Sequence, residues 1–119
     1  MPPTVLLADS DRIGTSVLAQ ALRDAGFSAL VAHDAPGALA LAPGCDLVCL
    51  DVGLPGGGGF TACAPLRERM RGPILLMTER IDDATCAAIA ACGAEDTMFK
   101  PVDPFELIDK VAWWLEAQG

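Results

Sequence analysis

The sequence predicts a parallel α/β domain on three observations. Short apolar runs alternate with segments of helical period, the third run is apolar almost throughout, and polar side chains collect just past the C-terminal ends of the runs. The 119 residues are 52% hydrophobic and 20% charged, which gives material for one core and too little length for two. A mean hydropathy of +0.40 separates the chain from disordered sequences. Sixteen acidic against eight basic side chains leave a formal charge of −8. Such a surface is repelled by phosphate backbones and anionic lipid, so neither direct nucleic-acid binding nor membrane binding is expected.

The first strand is predicted over Thr4 to Ala8. Asp9-Ser10-Asp11 ends it and offers a cap to a helix from about Arg12 to Ala25, on whose wheel Ile13, Val17, Leu18, Ala21, Leu22 and Ala25 form the apolar side. Gly26 stops that helix. Phe27 to Ala32 reads as a second strand, and Pro36 to Leu41 as a short helix closed by Pro43-Gly44. Asp46 to Leu50 is the central strand, buried on both faces, with Asp51 at its C-terminal end. Gly56 to Gly59 are assigned to loop, because consecutive glycines support neither regular element, and the loop is expected to be mobile. A third helix follows from about Phe60 to Met70, with Pro65 expected to begin its regular part or kink it.

Pro73 to Thr78 is the fourth strand. Asp82 or Asp83 caps a fourth helix that reaches Cys92 and stops at Gly93. Thr97 to Lys100 makes a short fifth strand. Pro104 opens the last helix, with Phe105, Leu107, Ile108, Val111, Ala112, Trp114 and Leu115 on its apolar arc and Trp113 on the polar side. No repeat or linker interrupts residues 1–119, which read as one domain. The N-terminus has no basic region and no long apolar run, so a cytoplasmic protein is expected. Five cysteines, at spacings that match neither C-x-x-C nor a zinc ribbon, are read as reduced and mostly buried.

In an open parallel sheet, chemistry belongs in the crevice outside the carboxyl ends of the strands. Asp9, Asp51, Thr78 and Lys100 end the first, third, fourth and fifth strands, so four useful side chains from distant parts of the sequence converge on one edge. The stretches that hold them are Val-Leu-Leu-Ala-Asp9, Asp46-Leu-Val-Cys-Leu-Asp51-Val-Gly-Leu-Pro-Gly56, Pro73-Ile-Leu-Leu-Met-Thr78, Gly93-Ala-Glu-Asp96 and Lys100-Pro101. In that order and at those spacings the chain resembles the receiver domains of two-component response regulators, over nearly its whole length.

The resemblance implies a flavodoxin-like fold with five parallel strands in the order 2-1-3-4-5 and five helices. It implies that Asp51 accepts a phosphoryl group from a histidine kinase or phosphotransfer protein, with Lys100 supplying positive charge and Thr78 a hydroxyl. Mg2+ would be held by Asp9, Asp51 and the backbone carbonyl of Gly53. The Lys100-Pro101 bond is expected to be cis, and the domain to be an enzyme only in forming and hydrolysing its own aspartyl phosphate. Charge neutralisation is what such a transfer needs most, which is why a carboxylate nucleophile is joined by a cation and a lysine. The output would go to a downstream protein partner or to an output domain outside these residues.

Several positions depart from the family pattern. Ser10 stands where a second acidic residue normally touches the metal, and Asp11, one residue on, is expected to face elsewhere or cap the first helix. Magnesium affinity should fall. Glu79, after Thr78, either returns a charge to the site or is a plain exposed glutamate. Thr97 replaces the usual Tyr or Phe of the switch, and Gly58 replaces an acidic or polar residue. Trp113 is either a docking anchor or an isolated surface aromatic. The last helix lacks the arginines of members that dimerise through that face, so this dimer is not expected, and His33 is read as a surface residue without a catalytic task. Two rival readings follow. In one, Ser10, Thr97 and Gly58 mark a degenerate receiver that acts through phosphorylation-independent protein contacts. In the other the chain is a flavodoxin-like redox protein, against which stand the acidic Asp9-Ser10-Asp11 turn and the absence of tyrosine.

Overall fold

The computed structural model describes residues 2–118. Among them the elements run β1 (Thr4–Ala8), α1 (Arg12–Asp24), β2 (Ser28–Ala32), α2 (Ala35–Leu41), a 3-10 turn (Ala42–Gly44), β3 (Leu47–Asp51), α3 (Gly59–Arg69), β4 (Ile74–Thr78), α4 (Asp83–Cys92), β5 (Asp96–Phe99) and α5 (Pro104–Gln118). The strands form one parallel sheet in the order β2-β1-β3-β4-β5. No described helix is long and apolar enough to cross a membrane.

Period-two alternation explains the layers, because successive side chains of a strand point to opposite faces. Leu6, Val48, Leu50, Ile74 and Leu76 face one way and pack with Ala38, Ala62, Cys63 and Leu66 of α2 and α3. Val5, Leu7, Leu47, Cys49, Leu75 and Met77 face the other way and meet Ala19 and Leu22 of α1 and Leu107 and Val111 of α5. Every residue of β3 and β4 is buried, which is why those strands read as unbroken apolar runs. From β1 the chain goes outward to β2, then returns past β1 to β3. The strand order therefore reverses between β1 and β3, which is where a crevice opens in folds of this kind.

Four expectations need correction. The buried face of α1 is Thr15, Ala19 and Leu22, whereas Ile13 is 79% exposed, Val17 is exposed and so is Ala25. Thr15 can be buried because its hydroxyl donates back to the carbonyls of Asp11 (2.8 Å) and Arg12 (3.2 Å). Phe105, assigned to the apolar arc of α5, is 78% exposed, since the arc is centred one turn later on Leu107 and Val111.

Gly59 belongs to α3 rather than to the loop, and α3 begins before Pro65 and runs through it. Pro65 has no N–H to offer the Thr61 carbonyl one turn earlier, and Thr61 is an exposed residue. Finally, Cys63 and Cys92 are joined as a disulfide, while Cys45 and Cys49 are free and buried and Cys86 is free and exposed.

Candidate functional site

The register that sets Ala8 beside Leu50 places Asp9 and Asp51 next to each other, just where β1 and β3 end. Each is almost closed off from solvent, Asp9 at 5% and Asp51 at 8% exposure. Asp51 Oδ1 accepts a hydrogen bond from the Gly53 N–H at 3.2 Å, and Asp9 Oδ1 accepts one from the Asp11 N–H at 3.0 Å. These bonds fix both carboxylates in their turns.

Lys100 enters from the end of β5, where its N–H donates to the Thr78 carbonyl at 2.8 Å and its bond to Pro101 is cis. Its Nζ lies 2.7 Å from Asp9 Oδ2 and 3.7 Å from Asp51 Oδ1. The lysine thus pairs most closely with Asp9 and reaches Asp51 through a longer contact.

Two carboxylates against one ammonium leave an excess of negative charge, and its effect falls on Asp51. Burial raises the Asp51 pKa, and the Asp9 charge raises it further, against the opposing pull of the Gly53 N–H and Lys100. For Lys100, burial would lower the pKa, but the hydrogen bond to Asp9 and the charges of Asp51, Asp9 and Glu79 overcome it and hold the ammonium above its ordinary value. A site of this kind gains from any added cation.

Thr78, the last residue of β4, is fully buried, and its hydroxyl accepts from the Arg80 N–H at 3.1 Å and donates to the Arg80 carbonyl at 3.3 Å. The hydroxyl is therefore engaged with the β4–α4 loop rather than with Asp51. Together these residues line an open cleft of about 690 Å3, shared with Ser10, Gly53, Glu79 and Arg80.

The remaining predicted residues sort by position. Asp11 caps α1, its Oδ1 accepting from the Gly14 N–H at 3.0 Å, and so does not replace the carboxylate missing at Ser10. Ser10 is exposed at the cleft, and Glu79 is both exposed and near enough to influence Lys100. Thr97 lies half-buried in β5 opposite Leu76, away from the residues that line the cleft. Trp113 is 60% exposed and sits edge-to-face on Trp114, with ring centroids 4.6 Å apart. The loop after β3 is a built turn: Gly56, Gly57 and Gly58 have φ of +93°, +118° and +87°, which side chains rarely adopt. It is tied by Gly58 N–H to the Leu54 carbonyl at 2.9 Å and by Ala35 N–H to the Pro55 carbonyl at 2.8 Å.

Sequence reasoning missed two residues. His33 is half-buried, with Nδ1 2.9 Å from the Asp9 carbonyl, so it braces the turn that carries Asp9. The parallel register of Ala8 with Ala32 is the signal that could have found it. Arg80 supplies both partners of the Thr78 hydroxyl and lines the cleft.

As for a metal, no three acidic, histidine or cysteine side chains converge among the described residues. Asp9 and Asp51 are nonetheless hard oxygen donors pressed together at one point, and a carboxylate pair of this kind fits a magnesium ion that retains several waters.

Comparison with known proteins agrees with this fold. Residues 5–112 match the family model described as response regulator receiver domain. The chain is 35% identical over 117 residues to the transcriptional regulatory protein AruR of Pseudomonas aeruginosa, covering 92% of this chain and 48% of the relative. It thus spans about half the length of that curated relative. Among solved structures, a two-component response regulator from Clostridium difficile superimposes with a TM-score of 0.91 at 26% identity, over 98% of each chain. A response regulator protein from Burkholderia pseudomallei, solved with a phosphorylated aspartic acid, calcium ion and citrate, gives a TM-score of 0.81 at 24% identity, over 95% of this chain and 66% of that one.

Proposed function

The chain belongs to the response regulator receiver domain family, which implies a cognate histidine kinase, and from that premise we propose that Asp51 is its phosphoacceptor. The observation that carries the reading is the meeting of Asp51, Asp9 and Lys100 at the strand-order reversal. A carboxylate oxygen of Asp51 attacks the phosphorus of a phosphohistidine or a small acyl phosphate. The phosphorus–donor bond breaks in line, the leaving group takes the bonding electrons, and Asp51 becomes an acyl phosphate. Lys100 neutralises charge on the phosphoryl oxygens.

Asp9, Asp51 and the Gly53 backbone carbonyl would hold Mg2+, which supplies charge neutralisation for the transferring group. With Ser10 in place of a carboxylate, that ion would be held less tightly. Thr78 exchanges its bond to Arg80 for one to the new phosphoryl oxygens. That exchange pulls the β4–α4 loop toward the site and shifts the protein between two populations.

Residues 1–119 act as one receiver domain of a cytoplasmic signalling protein. It takes its phosphoryl group from the kinase or a phosphotransfer protein and presents the altered surface, with Trp113 as an anchor, to a downstream partner or output domain. Neither nucleic acid nor membrane is contacted directly. The catalysis is limited to its own phosphoryl transfer and hydrolysis.

One observation favours a second reading, a receiver that works without phosphorylation: Lys100 pairs more closely with Asp9 than with Asp51. Intact mass after incubation with acetyl phosphate, with and without magnesium, separates the two. Gain of one phosphoryl mass that needs the metal and is lost in Asp51→Asn supports the phosphoacceptor. An unchanged mass at high magnesium, repeated with phosphorylated kinase as donor, supports the second reading.

A further inference from the structure

Helix α4 is the least anchored element of the fold, since none of its residues is buried. What holds its C-terminal end is α3, and it does so twice along one stripe. Cys63 is bonded to Cys92, with Cα atoms 6.4 Å apart, and ties positions 29 residues apart in sequence. Four residues along, where the helix presents the same face, the Arg67 guanidinium donates to the Gly93 carbonyl at 2.9 Å and to the Glu95 carboxylate at 2.6 Å. The opposite end of α4 is free of such ties and follows directly on the loop that holds the Thr78 hydroxyl. A latch at one end and the Thr78 loop at the other is the arrangement of a lever.

We propose that Cys63 and Cys92 form a reversible thiol–disulfide latch that sets how far α4 can move from α3. With the thiols reduced, the helix end is held by Arg67, by the Glu95–Ile74 hydrogen bonds and by the packing of Ile89, and α4 is looser; with the disulfide closed, the end is fixed. The oxidant is a low-molecular-weight disulfide such as oxidised glutathione. The half-buried Cys92, as thiolate, attacks one sulfur of that disulfide and releases one glutathione thiolate. Cys63, buried in α3, then attacks the Cys92 sulfur, the mixed disulfide breaks, and the second glutathione thiolate leaves. Two protein thiols have been oxidised, one disulfide reduced, and the two protons lost by the cysteines are carried by the two glutathione thiols. Cys49 does not compete, because burial pushes its thiol up to about 12. The latch itself does not depend on Asp51; its coupling to signalling rests on the phosphoacceptor reading.

The test uses residues 1–119 treated either with oxidised glutathione or with dithiothreitol, then followed by intact mass, fragmentation of the joined peptide and amide hydrogen exchange. The expected oxidised product lacks two hydrogens, joins Cys63 to Cys92 and exchanges its α4 amides at least about threefold more slowly than the reduced protein. Cys92→Ser should form no disulfide within the chain and should show the same α4 exchange after both treatments, and Cys86→Ser should match the parent in α4 exchange; a glutathione adduct on the exposed Cys86 is assigned by fragmentation and changes neither readout. A glutathione adduct that persists on Cys92, or equal exchange in both states, overturns the latch. A third arm adds acetyl phosphate and magnesium. Phosphorylation should change α4 exchange less in the oxidised protein, and an identical change in both states would overturn the regulatory role. Failure of Asp51 to take a phosphoryl group in either state would count against the phosphoacceptor alone, leaving the mass and exchange results to decide the latch.

Discussion

Lys100 stands between two carboxylates and is nearer to Asp9 than to Asp51 by 1.0 Å (3.7 Å less 2.7 Å). Its charge is thus shared before any phosphoryl group arrives, and the group's three oxygens would compete with Asp9 for it. Replacement of Lys100 by Met should slow phosphoryl uptake from acetyl phosphate about 100-fold, the cost of removing one preorganised cationic donor. The rate of mass gain at saturating magnesium measures it. At Ser10 the direction is reversed. Ser10→Asp adds a carboxylate beside two others and should lower the magnesium concentration for half-maximal phosphorylation about tenfold, because affinity for such ions follows ligand charge. No change in that concentration would mean that position 10 is not at the metal.

At the level of elements, the start of α3 lies directly behind Asp51. A Cβ on Gly59 would collide with the Asp51 carbonyl and come within 2.8 Å of the Val52 Cα, both of them backbone that cannot step aside. Gly59→Ala should therefore destabilise the fold by about 1–3 kcal/mol. It should also slow phosphorylation by displacing Asp51, so unfolding and uptake rate are measured on the same variant.

The turn from α4 into β5 depends on Glu95, which accepts from Arg67 and from the Ile74 N–H at 2.7 Å. Burial would raise the Glu95 pKa, but those bonds and the Arg67 charge win and leave it below its ordinary 4.5. A carboxylate depressed in the folded state contributes stability that is complete above its unfolded value and is lost as pH falls through the folded one. Glu95→Ala should thus cost about 1–3 kcal/mol at pH 7, with the gap in melting temperature closing below pH 4.5. A gap that widens in acid would contradict the assignment.

The whole molecule is a sheet whose order reversal gathers a site from four strand ends, and that much was legible in the sequence. The runs before Asp51 and Thr78 are apolar on both faces, and only a doubly covered parallel strand needs that. Asp9 and Thr78 could be placed because each closes such a run, and Lys100 because it closes the short run Thr97-Met98-Phe99 just before Pro101. What could not be read depends on close approach between elements. The buried face of α1 includes a threonine that turns its hydroxyl against its own helix, which no hydropathy pattern reveals. Gly59 looked like loop because only the path of β3 behind it shows why a side chain is forbidden there. The pairing of Cys63 with Cys92 depends on α3 lying along the end of α4, a matter of packing and not of spacing.

The acidic pair Glu95 and Asp96 likewise gains meaning only in three dimensions. Glu95 is engaged by Arg67, and Asp96 by Lys110 and Trp114, within the same chain.

We propose that this convergence makes Asp51, and no other carboxylate, a covalent phosphoryl acceptor. The most direct measurement is borohydride reduction after treatment with acetyl phosphate and magnesium, followed by peptide sequencing. Reduction of an aspartyl phosphate leaves homoserine at the phosphorylated position. Homoserine at position 51 alone, absent without magnesium, is the predicted result. Homoserine at Asp9 or elsewhere, or none after full treatment with a phosphorylated kinase as donor, would contradict it.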